Sequence, residues 1–244
     1  MSPARRASAE FAGTALLVTA VVGSGIAAAR LSGDDVGLQL LESAIATALA
    51  LGALILIFGP VSGAHLNPIV SAVDWWLGRR IGTGLTLGQL GGYVAAQGLG
   101  AIAGGILANL MFGLPAASWS QTQRTGGHLW LGEVVATAGL VLLIVALARS
   151  GRTRAAPAAV GAYIGAAYWF TSSTSFANPA VTVGRAFTDT FAGIAPASVP
   201  GFIAAQLFGG LVATAAIAWW YPHAASTASG VGVAHVGHEG GTNR

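Results

Sequence analysis

Two Asn-Pro dipeptides, Asn67-Pro68 in SGAHLNPIV and Asn178-Pro179 in SFANPAVTV, stand out in this 244-residue chain as residues able to do chemistry. That chemistry is hydrogen-bond donation rather than bond making. Proline favours the first position of a helix, where its missing N–H costs nothing, and the preceding Asn caps that helix through its side-chain oxygen. Each Asn then stands at the positive end of a helix dipole, with amide N–H groups free to donate into the space ahead. Two such helix starts meeting head to head at mid-membrane make a cation-repelling constriction lined by donors. Ile69 and Ala180 complete the two triplets.

The elements that must position these residues are membrane helices. Hydrophobic residues make up 54% of the chain and charged residues 8%, and the mean hydropathy is +0.70, values of a bilayer-embedded protein. The eleven basic residues are all Arg and are scattered, so no nucleic-acid-binding face is expected. Cysteine is absent, which removes disulfides and thiolate metal sites. Glu10 interrupts the first apolar run, so a retained helix is expected there rather than a cleaved leader.

Apolar runs long enough to cross about 30 Å of hydrocarbon fall near residues 8–29, 41–60, 86–112, 128–148, 156–173 and 198–220. The expected fold is therefore an all-α membrane protein with six transmembrane helices. The apolar stretch after each Asn-Pro is too short to cross, so each predicts a re-entrant half-helix. Irregular backbone at this depth is tolerated only where it is buried in protein or lines an aqueous path. Gly63, Ala64 and His65, and Ser175, Phe176 and Ala177, are thus expected to turn carbonyls toward a pore, with His65 contributing its carbonyl rather than its imidazole.

The halves repeat in order. Glu10 in EFAGTALLV matches Glu133 in EVVATAGLV, Asn67-Pro68 matches Asn178-Pro179, and Gln97 in YVAAQGLGA matches Gln206 in FIAAQLFGG. Three crossings per half make the copies inverted, with pore residues at their shared interface near the midplane. We read one transmembrane domain over 1–222, repeat one about 8–112 and repeat two about 128–222, and a flexible tail over 223–244. Glu10 and Glu133 are intramembrane carboxylates at repeat-related positions, expected to hold the backbone N–H groups of the re-entrant loops, with Gln97 and Gln206 assisting.

Arg5, Arg6, Arg79, Arg80, Arg149, Arg152 and Arg154 fall on one side of this topology, against Arg30, Arg124 and Arg185 on the other. Both termini are therefore expected in the cytoplasm. His235, His238 and Glu239 lie in the Gly- and Ser-rich tail and are not expected to bind metal. No nucleophile–base pairing or phosphate loop is present, so neither an enzyme nor a cofactor is expected.

With six spans, two Asn-Pro half-helices, the SGAH lead-in and a Glu in spans one and four, the chain resembles the aquaporin and aquaglyceroporin (major intrinsic protein) family over residues 8–222. The resemblance implies one pore per subunit and a homotetramer. It also implies a selectivity filter that in the family normally carries Arg three residues after the second Asn; here that residue is Val181. Counting from the Asn anchors by the family pattern puts Thr47, Ala166 and Ser175 at the other filter positions. All four side chains are small, which implies a wide filter without a fixed charge. Arg185, one helical turn past Val181, is expected on the half-helix surface or at an interface. Ile69 replaces the Ala of the first motif, and Thr182 stands where glycerol-selective members usually have Asp.

The run FANPAVTVGRAFTDTFAGIAPASVPGFIAAQ is similar to bacterial channels of this family found beside arsenic-resistance genes. That resemblance implies a passive channel for small uncharged solutes in the cytoplasmic membrane, with arsenous acid and methylated arsenicals favoured and glycerol and water as co-permeants. Two alternatives stay open: a water-selective aquaporin, and an ion-coupled secondary transporter using Glu10 or Glu133.

Overall fold

Ser2, Asp35, Asn67 and Thr86 each accept a hydrogen bond from a backbone N–H in the following turn. They start the four helices of the first half: α1 Pro3–Leu31, α2 Val36–Ser62, α3 Pro68–Gly78 and α4 Leu87–Met111. The computed structural model describes residues 1–79 and 82–221. The second half adds α5 Gly127–Arg149, α6 Ala156–Phe170, α7 Pro179–Gly184 and α8 Val199–Trp220, with single 3-10 turns at Thr153–Ala155, Arg185–Phe187 and Pro196–Ser198. The described residues are all-helical, without strands. The tail from residue 222, with His235, His238 and Glu239, lies outside the described residues, as does Arg80.

Helices α1, α2, α4, α5 and α8 are each long and apolar enough to cross a bilayer. The sixth crossing differs from expectation. Helix α6 stops at Phe170 rather than near residue 173, because Thr171 turns to extended backbone (φ −109, ψ 141). The 3-10 turn that runs into its start extends the helical run to Thr153–Phe170, a rise of about 28 Å, close to the thickness of the hydrocarbon core. Short α7 is continued by the 3-10 turn Arg185–Phe187.

The two halves pack by the same rule. Helix α1 lies against α2 and α4, and α5 lies against α6 and α8. Across the halves α2 meets α6, α7 lies against α4, α3 reaches α8, and α3 meets α7. Glycine permits the tightest of these approaches. A Cβ on Gly100 of α4 would stand 2.3 Å from the Phe11 carbonyl oxygen of α1, and one on Gly209 of α8 would stand 2.6 Å from that of Val134 of α5. Gly100 and Gly209 follow Gln97 and Gln206 by the same interval, so one contact is built twice. Large apolar side chains such as Leu49, Leu56, Ile57, Leu211 and Phe208 are left on the outside, the reverse of a water-soluble protein. At one end of the bundle Arg30 donates to the carbonyl of Phe112, joining the ends of α1 and α4; at another, Arg149 donates to that of Tyr221, joining α5 and α8.

Candidate pore and selectivity filter

The loop before each half-helix is forced into an unusual course. Gly63, Ala64 and Leu66 in the first loop, and Thr174, Ser175 and Ala177 in the second, have positive φ, at matching distances before Asn67 and Asn178. For residues with a Cβ each such conformation costs on the order of 1 kcal/mol or more and persists only when the surroundings fix it. Glu10 and Glu133, both fully buried, do the fixing. The Glu10 carboxylate accepts from the backbone N–H groups of His65 (3.0 Å) and Leu66 (2.7 Å), the Ser62 hydroxyl and the Gln97 amide. That of Glu133 accepts from the backbone N–H groups of Phe176 (2.8 Å) and Ala177 (2.9 Å) and the Gln206 amide.

The glutamines also reach the half-helices. Gln97 donates to the Ser71 hydroxyl and Gln206 to that of Thr182, and these hydroxyls donate in turn to the carbonyls of Asn67 and Asn178. Thr182 is therefore occupied as a brace on its own helix. Ser62 and Ser173, five residues before each Asn, accept from the N–H groups of Ala64 and Ser175. Sequence reasoning passed over Ser62, Ser173 and Ser71, although each sits at a repeat-matched position, and that matching was the available signal.

With the loop N–H groups held from behind, the carbonyls of Gly63, Ala64, His65, Ser175 and Phe176 accept no hydrogen bond from the described residues. These five residues line one cavity together with Leu66, Asn67, Ala177 and Asn178. The two Asn side chains cap their own helices, Asn67 by accepting from the N–H of Ile69 and Asn178 from those of Ala180 and Val181. Their amides are not wholly free. Asn67 donates to the carbonyl of Ala177 (2.8 Å) and Asn178 to that of Leu66 (2.7 Å), so each tip grips the opposite loop. One N–H per amide remains for the cavity. Pro68 and Pro179 occupy the first position of each half-helix. Ile69 is not in the cavity lining; it packs behind the pore with Val73, Val141 and Ile217. Ala180 is likewise buried in the core.

The rest of the wall is apolar and regular. Ala156, Val160, Ile164 and Tyr168 form a stripe on α6, four residues apart, facing Thr47, Leu51 and Ile55 at the same spacing on α2. The α6 stripe alone runs about 18 Å, so the cavity is a channel rather than a pit. Leu17 and Val21 of α1 and Leu140 and Ile144 of α5 complete it. The His65 ring has Nδ1 3.1 Å from the Ser71 hydroxyl and meets the Tyr93 ring edge to face, Ser71 and Tyr93 both lying outside the cavity lining.

The filter expectation needs two corrections. Ala166 is exposed and absent from the cavity, since it lies two residues past Ile164 and so about 200° around the helix. Tyr168 takes its place, its hydroxyl 3.1 Å from that of Thr47. Arg185, expected on a surface or interface, is instead 4% exposed and lines the cavity beside Ser175 and Val181. Val181 and Arg185 are four residues apart and share a face of α7 and its continuing turn. Side chains lean toward a helix N-terminus, and the Arg185 guanidinium lies 3.5 Å above the ring of Phe176. Its Nε donates to the carbonyl of Ala192. The lining around Ser175 and Val181 is therefore neither uniformly small nor uncharged.

The loop between α4 and α5 braces this end. Ser118 and Ser120 donate backbone N–H groups to Phe187 and Ala186, Ala195 donates to Thr122, and Arg124 donates to the carbonyls of Gly193 and Phe191. Burial pulls the Arg124 guanidinium below its ordinary pKa.

The family described as major intrinsic protein matches residues 1–177. The aquaglyceroporin AqpS of Rhizobium meliloti is 53% identical over 215 residues, 88% of this chain and 89% of that protein. A probable TIP-type aquaporin of Medicago truncatula is 35% identical over 73% of both chains. Among solved structures, the aquaglyceroporin from Plasmodium falciparum superposes with a TM-score of 0.67 at 22% identity, covering 88% of this chain and 96% of that one.

Proposed function

The chain belongs to the major intrinsic protein family, whose members are channels and not enzymes, and from that premise we propose a passive pore whose favoured cargo is arsenous acid and methylated arsenicals, with glycerol and water as co-permeants. One observation carries the reading. Among the described residues the cavity is lined by apolar side chains, hydroxyls, amides, free carbonyls, Arg185 and His65 and by no carboxylate, while Glu10 and Glu133 are both committed to loop N–H groups. A transporter coupled through Glu10 or Glu133 needs that carboxylate free to bind and release its ion, and neither lies in this wall. Apolar stripes on one side and hydrogen-bonding groups on the other suit small neutral molecules with several hydroxyl groups, the shape shared by glycerol and arsenous acid.

Val181 in place of a filter Arg supports the larger members of that set, and the 53% identity to a protein named an aquaglyceroporin supports solute passage over strict water selectivity. We further assign the pore to the cytoplasmic membrane with both termini inside, a reading supported by the apolar exterior and by the sorting of Arg residues, and to a homotetramer, which membership of the family implies. The test is flux into liposomes of water, glycerol, arsenous acid and a methylated arsenical, for the wild type and Val181→Arg. Wild-type passage of all four, with selective loss of the larger solutes in the variant, is expected. Water flow alone in both proteins overturns the cargo assignment.

A further inference from the structure

We propose that Arg185 is the specificity-determining cation of this pore, excluding cations and offering hydrogen bonds to passing neutral solutes. The inference rests on the reading of the chain as a passive pore. Arg185 is buried yet lines the channel. A buried charge is retained at a cost unless it is paired, and the hydrogen-bond and ring contacts of the Arg185 side chain among the described residues are two: Nε to the Ala192 carbonyl and the guanidinium face over Phe176. No carboxylate pairs with it. Its two terminal nitrogens make no hydrogen bond to protein, and neither is enclosed away from the cavity.

Four guanidinium N–H donors without a protein partner at one end of an apolar channel are complementary to a neutral molecule carrying several oxygens. Fixed by Ala192 and the braced segment around it, the guanidinium does not need to move to meet such a solute. The same unpaired charge repels protons in hydrated form, ammonium and metal cations. Arg185 thus restores, from one turn farther along the half-helix, the positive field that Val181 lacks.

A role limited to clamping the Ala192 carbonyl is the competing explanation, and Arg185→Gln separates the two because its amide can still donate to a carbonyl but carries no charge. In liposomes held at a potassium diffusion potential, proton entry and methylammonium uptake through Arg185→Gln should exceed wild type on the order of tenfold or more, and Arg185→Lys should leak less than Arg185→Gln. Val181→Glu keeps Arg185 but pairs with it at the i, i+4 spacing. It should leak more than Val181→Gln, and this comparison decides the matter if the Arg185 variants do not fold. Folded Arg185→Gln with wild-type cation exclusion, or equal leak in the two Val181 variants, overturns the proposal. Failure of the wild type to pass arsenous acid while it passes glycerol overturns the cargo assignment only, since the leak comparison is read on cations.

Discussion

Glu133→Gln discriminates between a carboxylate that holds a loop and one that couples transport to an ion. The replacement amide must put one oxygen and one NH2 group where the carboxylate had two acceptors. With its NH2 group at the Oε1 position, the N–H of Phe176 loses its acceptor while Ala177 and Gln206 keep theirs; the opposite orientation orphans Ala177 and sets two donors against each other at Gln206. The first is favoured. It sets the new NH2 group against the Phe176 N–H so that buried donors on both sides lack an acceptor, about 1–3 kcal/mol, and reduces two charge-assisted bonds to neutral ones, about 1 kcal/mol each. Removing a buried charge returns part of this, so a net loss of about 2–4 kcal/mol is expected. In a detergent-solubilised sample, thermal unfolding of Glu133→Gln should shift downward by several degrees, and liposome flux per folded molecule should fall for water and glycerol alike because the strained loop relaxes. Solute flux should run only down its gradient in both proteins, with no response to an imposed pH difference. Uphill accumulation driven by protons in the wild type, abolished in a Glu133→Gln protein of unchanged stability, would refute this reasoning.

Other consequences are testable by the same means. Tyr168→Ala removes an aromatic from the cavity wall and the bond to Thr47, so the ratio of glycerol to water flux should rise, whereas Ala166→Trp on the outer face should leave that ratio unchanged; the reverse result would place Ala166 in the filter. Gly100→Val drives a branched side chain into the Phe11 carbonyl of α1, and should cost several kcal/mol by forcing the helices apart, seen as loss of folded protein on size-exclusion chromatography. Asn178→Ala removes the grip on Leu66 and the cap on α7 together, and should destabilise by about 2–4 kcal/mol, read by thermal unfolding.

What was legible in the sequence is what is fixed by local chemistry or by repetition. The Asn-Pro pairs mark helix starts because cap and proline act within one turn, and Glu10, Glu133, Gln97 and Gln206 stand out because a polar residue repeated at matched depth in an apolar chain must have a partner. What could not be read depends on geometry beyond the turn. Ala166 was misplaced because the count ran back from Asn178 through the irregular segment after Phe170, where residues do not advance at helical pitch. The position of Arg185 turns on a long side chain folding back over Phe176, a route that backbone spacing does not reveal. The end of α6 at Phe170 was hidden because Thr171-Ser172-Ser173 holds no Gly or Pro to mark it.

The reciprocal grip at the midplane ties the two halves of the gene product to each other in time as well as in space. The amide of Asn67 is satisfied by a residue 110 positions later in the chain, and that of Asn178 by one 112 positions earlier. During synthesis the first tip therefore waits, with the Leu66 carbonyl unsatisfied in the bilayer, until the second repeat has inserted. Closure of the pore is a late, long-range event, and the halves expressed as separate polypeptides should each remain unfinished alone yet complete one another when they meet in the same membrane.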